Sequence, residues 1–247
     1  MRLLLVAVLS CALVSAAAAD EYPTALIERP QLLPRGLVQI DAALGHETRR
    51  ALGIEILSAE SADLAVRLGV SGRWELGAAS SLWLHPDARW DRAVSLSADY
   101  HAFAGERIDI APRLALPLSF HHGYDLVDTA WLGMGLRARL GDRLFAVAGR
   151  RLLPIDIRPA FALHAGLDGG VGFQATPALA LLAETQLAML TLVGPIDRTT
   201  TIADRWPVSL TAIWAARRVD TTLELRSGDS LALESDFSLL VSLGVRP

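Results

Sequence analysis

The chain has 247 residues, 52% hydrophobic and 20% charged, with a formal net charge of −4 and a mean hydropathy of +0.35. The negative balance argues against a nucleic-acid partner, which would call for a basic face. Beyond the first 19 residues no apolar run reaches roughly 18 residues, so helical membrane spans are excluded, whereas strands need only about 9–11 residues to cross.

In chain order, the first element is a leader. Arg2 is its positive end, Leu3 to Val14 its apolar core, and Ala17-Ala18-Ala19 a small-residue cleavage site before Asp20. Residues 1–19 read as a cleavable secretory signal, which implies export through the inner membrane. The alternative, a membrane anchor, has too short an apolar core. The single cysteine, Cys11, lies inside this segment. Lipid attachment there would leave a very short core, and the better cleavage site lies downstream. Without Cys11 the exported chain has no disulfide, thiolate metal site or cysteine nucleophile. All basic residues are arginine, as a GC-rich genome would favour. Residues 20–35 carry Pro23, Pro30 and Pro34 with no period, and read as an irregular N-terminal arm.

From Gly36 the pattern changes. Val38, Ile40, Ala42 and Leu44 share one face, and Gln39, Asp41, Ala43 and Gly45 the other. The same alternation returns at Phe237, Leu239, Val241, Leu243 and Val245 against Ser238, Ser242, Gly244 and Arg246. Successive side chains on a strand point to opposite faces, so each segment has one apolar and one small or polar side. Twelve strands are predicted, over 37–46, 63–71, 74–84, 92–102, 107–120, 129–140, 143–150, 160–175, 178–190, 206–216, 218–227 and 235–246. Tight links at Ser71-Gly72-Arg73, Ala104-Gly105-Glu106, Gly141-Asp142, Thr176-Pro177 and Arg217-Arg218 suit hairpins. Between them fall longer links: His46 to Ala62, His85 to Asp91, His121 to Asp128, Arg151 to Pro159, Thr191 to Arg205 and Gly228 to Glu234. Pro112 and Pro117 predict a bulge or bend inside their strand. Thr176-Pro177 before an Ala/Leu-rich run also fits a capped helix, but the period of two over 178–190 favours a strand.

Short and long links in strict alternation resemble the two rims of a Gram-negative outer-membrane β-barrel, porin-like in the broad sense. The resemblance implies an all-β, closed, antiparallel up-and-down transmembrane barrel of about twelve strands over 36–247. It implies a bacterial outer-membrane location, both termini in the periplasm, and folding with the barrel assembly machinery. The arm would then lie in the periplasm or fold into the lumen. One departure is the end, Val245-Arg246-Pro247, where such barrels usually finish on an aromatic residue.

In such a barrel the apolar rows face lipid. Trp74, Tyr100, Phe120, Trp206 and Trp214 are candidates for the membrane-interface girdles, although aromatics are only 6% of the chain. Sandwich-core packing is the alternative reading of these rows. The inner set comprises Arg67, Asp99, His101, Asp109, Arg113, Arg137, Arg139, His164, Asp168, Glu184, Glu224 and Arg226. A charge facing lipid at the midplane costs about 2–4 kcal/mol, so these residues are expected to line a solute pathway. A plugged lumen of paired ions is the alternative.

Chemistry is thinner. His121-His122, with Asp125 and Asp128 nearby, reads as solvated loop residues rather than a metal site. Phosphate-loop, dinucleotide and zincin motifs are absent, and no cofactor is expected. Gly166 to Gly172 runs into strands rather than onto a helix N-terminus, so its glycines read as relieving crowding in a bent strand rather than binding phosphate. His101 with Asp99, or His164 with Asp168, could supply a base and its orienting acid, but no serine is tied to either pair. The sequence thus points to a channel or transport component passing small solutes. A structural or adhesive barrel with a closed lumen and an outer-membrane hydrolase are the alternatives.

Overall fold

A computed structural model describes residues 22–51, 54–85, 89–119, 127, 129–149, 153–156, 162–193, 208–227 and 237–247. Its strands are β1 (Val38–Ala51), β2 (Ile54–Gly69), β3 (Trp74–His85), β4 (Arg89–Tyr100), β5 (Phe103–Ala104), β6 (Ile108–Ser119) and β7 (Thr129–Arg139). They continue with β8 (Leu144–Ala148), β9 (Leu153–Asp156), β10 (Ala162–Thr176), β11 (Leu179–Val193), β12 (Val208–Ala215), β13 (Val219–Ser227) and β14 (Phe237–Val245). The two-residue β5 extends β4 along β6. β8 and β9 fill one slot between β7 and β10. Fourteen segments therefore make twelve staves. The ring closes where β1 pairs with β14, from Ile40 opposite Val245 to Thr48 opposite Phe237. All pairings are antiparallel, and each stave is bonded to its neighbours in the chain.

The period of two decides which face is which. Along β1, Ile40, Ala42 and Leu44 are exposed on the outer wall, while Gln39 is buried inside. Register carries this parity around the ring: Gln39 faces Arg67, Arg67 faces Gly77, and Glu75 faces Asp99 across successive strands. The outer wall is a continuous apolar surface that includes Leu44, Leu64, Trp74, Met134, Leu167, Leu210 and Val241, all exposed. A soluble monomer seldom exposes so large an apolar surface. A closed sheet also has no free edge, so all its backbone groups can pair internally, as a lipid environment demands.

The strand extents need correction at the rim of long links. β1 runs to Ala51 and β2 begins at Ile54, so the expected loop from His46 to Ala62 is a paired hairpin. The outward positions there are polar (His46, Thr48, Ser58, Glu60), which ended the apolar alternation although the ladder continues. The link from His85 likewise shrinks, because β4 begins at Arg89, and β11 runs on to Val193. The expected link from Arg151 to Pro159 contains a paired strand, β9. The rest of the expected links, residues 121–126, 128, 151–152, 157–159, 194–205 and 228–234, with His121, His122, Asp125 and Asp128, lies outside the described residues.

At the other rim, the run after Thr176-Pro177 is strand β11, paired with β10 and β12, and so not a helix. Pro117 pairs with Ser95 and Pro112 with Met134 without a register shift, so β6 itself has no bulge. The irregularity lies on its neighbour, where 100–102 oppose 111–112 between the Asp99–Arg113 and Phe103–Ile110 pairs. β10 shifts register between Leu167 and Asp168. Nearby, Gly172 gives the Phe145 ring room, since a Cβ there would come within 2.1 Å of it.

Candidate functional site

The arm folds into the lumen at the short-link end. Pro34 to Leu37 form a tight turn, in which the Leu37 N–H donates to the Pro34 carbonyl (3.0 Å). Gly36 has φ 80°, the left-handed conformation that such a turn needs at its third position. Gly69 lets the arm lie close, because a Cβ there would sit 2.0 Å from the Pro34 carbonyl oxygen. The arm holds one short 3₁₀ turn, Leu26–Glu28. Ile27 packs with Phe145, Val147 and Leu182, and Tyr22 with Leu33 and Leu37, so the apolar clusters lie inside the cylinder.

The arm's polar contacts with the wall are made largely by wall side chains, with Arg29 also donating to the Ala216 carbonyl (3.1 Å). The N–H groups of Ile27, Gln31 and Leu33 donate to Gln174 Oε1 (3.1 Å), Asp109 Oδ2 (3.1 Å) and Glu75 Oε2 (2.7 Å). Arg137 donates to the carbonyls of Leu26 and Arg29. Arg29 forms a two-pronged pair with Asp220 (2.6 and 3.0 Å), and Arg246 grips the same carboxylate (2.7 and 2.9 Å). Both guanidiniums lie 5.0 Å from the centre of the Tyr22 ring, within cation–π range. Burial pushes the Tyr22 phenol above its ordinary value of 10.0, against the pull of Arg29, Arg246 and Arg67.

These contacts belong to a belt of charges on the inner wall. Arg67 pairs with Asp41 (3.3 Å) and Glu75 (3.6 Å), Arg113 with Asp99 (2.7 Å), and Arg137 with Asp109 (3.2 Å). His101 bonds to Asp109 rather than to Asp99, which separates the expected base from its expected acid. Across the ladder gap at Gly149, whose φ is 74°, Asp168 accepts the Gly149 N–H at 2.8 Å. The side chain of His164 lies outside the described residues, so its expected partnership with Asp168 is not described. Arg139 stands at the end of β7 opposite Phe145. Sequence reasoning passed over Glu75, Asp220 and the arm's Arg29. Glu75 and Asp220 both sit at inner parity: Asp220 follows by twos from Arg226 on β13, and Glu75 lies on the face of β3 opposite Trp74 and Leu76, whereas the arm has no period to count.

Towards the rim of long links lies a chamber of about 490 Å³. Its charged lining is Glu47, Asp63, Asp168, Glu184, Glu224 and Arg226, all at inner parity. A second cavity of about 450 Å³ lies between arm and wall, lined on the wall side by Asp41, Arg67, Arg113 and Arg137. The outer wall carries Trp74, Trp214 and Phe103 near the short-link rim, each about half exposed. Tyr100 packs against Trp74 with ring centres 4.8 Å apart. Phe120 and Trp206 lie outside the described residues. Among the described residues, no three His, Cys, Asp or Glu side chains gather as metal ligands.

No protein-family model matches the chain, and no curated protein matches it. Solved structures share the fold at low identity. The NanC porin is 11% identical, with a TM-score of 0.61, over 84% of this chain and 100% of that one. An outer membrane channel from Pseudomonas putida F1 is 13% identical, with a TM-score of 0.56, over 87% and 97%. The KdgM porin is 10% identical, with a TM-score of 0.52, over 83% and 98%. The class defined by fold is thus the closed antiparallel twelve-stave barrel.

Proposed function

We propose that the chain is an outer-membrane channel that passes small solutes and favours cations. The observation that carries this reading is the acidic chamber in a cylinder whose outer wall is apolar. Five carboxylates and one arginine line it. Rings of fixed charge set the sign of the permeating solute, because the low-dielectric wall focuses their field. Trp74, Tyr100 and Trp214 would sit at headgroup level, where amphipathic rings anchor a barrel. The rim that carries both ends of the barrel would face the periplasm, and the N-terminal leader is read as the export signal. The folds of NanC, KdgM and the Pseudomonas channel support the same reading.

The test is electrical. Purified chain in planar bilayers should show discrete conductance with a reversal potential favouring cations across a salt gradient. Glu224→Gln should reduce that preference, and Arg113→Ala should change the conductance. Bilayers that remain silent with correctly folded protein overturn the channel.

A second reading, a structural or adhesive barrel, draws on the β1–β2 hairpin. Its outward residues His46 and Glu60 lie 3.9 Å apart and exposed, beyond the apolar band. In that case surface binding would vanish when the hairpin is cut back, with the barrel still folded.

A further inference from the structure

We propose that the arm is a displaceable gate that pivots at the Pro34–Leu37 turn and opens the lumen from the short-link end. The proposal rests on the channel reading and specifies its regulation.

Three features separate a gate from a fixed filling. First, the pivot is pinned. The Gly36 N–H donates to the Gly69 carbonyl (2.7 Å), and the Gly69 N–H to the Leu37 carbonyl (3.0 Å), so movement N-terminal to this point leaves β1 in place. Second, the arm adds no strand to the sheet. Its N–H groups are held by the side chains of Gln174, Asp109 and Glu75, so its departure breaks no ladder bond. Third, the wall stays balanced without it. Asp220 keeps Arg246, Asp109 keeps Arg137, Glu75 keeps Arg67, and Asp99 keeps Arg113. The charge that loses its partner is Arg29, and it moves into water, where it is fully solvated. A buried charge left unpaired is the usual obstacle to opening such a network, and here none is created on the wall. Space is also available: cavities of about 450 and 800 Å³ flank the arm, the second bordered by Tyr22, Glu28, Arg143 and Arg217.

The experiment uses the full chain with Cys11→Ser, which leaves no native thiol. Leu33→Cys places a thiol on the arm at a position now 3% exposed. A charged methanethiosulfonate then reports arm displacement, while single-channel recording reports opening. Two further variants bias the equilibrium. Arg29→Gln removes the latch on Asp220, and Gly69→Val drives a side chain into the Pro34 carbonyl. Each should raise both the labelling rate and the open fraction by about tenfold or more, as expected when one state loses a charge-assisted contact or gains a clash. Compact migration on unheated gels checks that each variant is folded.

Equal, measurable conductance in all three chains overturns the gate, whether or not the thiol reacts. A thiol that stays refractory in all three shows a fixed filling and also overturns it. Faster labelling with silent bilayers overturns the channel reading instead, since the arm then moves without opening a path.

Discussion

Asp220 carries two arginines at once. Its side chain is 13% exposed, that of Arg29 5% and that of Arg246 0%. Replacing one member of a buried charge pair strands the other, at a typical cost of about 3–5 kcal/mol. Asp220→Asn should therefore lower stability by that order in urea unfolding from lipid vesicles. Arg29→Gln should cost less, because Arg246 still neutralises the carboxylate. Tyr22 adds a pH dependence with a definite sign. Its raised phenol favours the neutral form, so the arm's seating is at full strength below pH 10.0 and weakens as pH climbs past it. Labelling of Leu33→Cys, divided by that of a permanently exposed cysteine to remove the thiolate's own pH dependence, should quicken over that alkaline range and stay flat below it.

At the scale of elements, strands were legible wherever one face meets apolar surroundings. Leu181 and Ala183 point out while Ala180 and Leu182 are buried, and so the period of two outweighed the helix-like composition of that run. Legibility failed where a ladder continues beyond the apolar band, as in the β1–β2 hairpin, because neither face there has a hydrophobic reason to alternate. The arm was opaque for another reason: its bonds to wall side chains run to partners 42 to 191 positions away and leave no local pattern. One clue lay in β8, where Phe145 and Val147 are apolar on the inner face as well, and Ile27 covers them. The projecting hairpin also makes a prediction. Replacing residues 48–58 by an Asn-Gly turn makes Glu47 and Ala59, already register partners, the flanking pair. The shortened barrel should keep its unheated gel mobility and its conductance. Loss of conductance would place the hairpin in the pore.

For the molecule as a whole, twelve staves stand between small filled barrels and wide aqueous ones. Here the two regimes are divided along the axis: the arm and its apolar clusters fill one end, while the other holds an acidic chamber. Closed barrels resist detergent until heated, so unheated samples should migrate as a compact form and boiled samples as an extended one. Identical mobility would mean that the cylinder does not close as described.

The position of Arg29 also bears on assembly. Its carboxylate partner lies on β13, and Arg246, the residue after β14, holds that carboxylate from the other side. The earliest-made part of the barrel domain is therefore anchored by the last-made strands, across the seam where the first and final staves meet. Those anchors do not exist while the seam is unzipped. Contacts so distant in sequence form late and slowly. A chain stalled before β13 can seat its arm on earlier strands but lacks the Asp220 latch, which closes only after β13 has arrived.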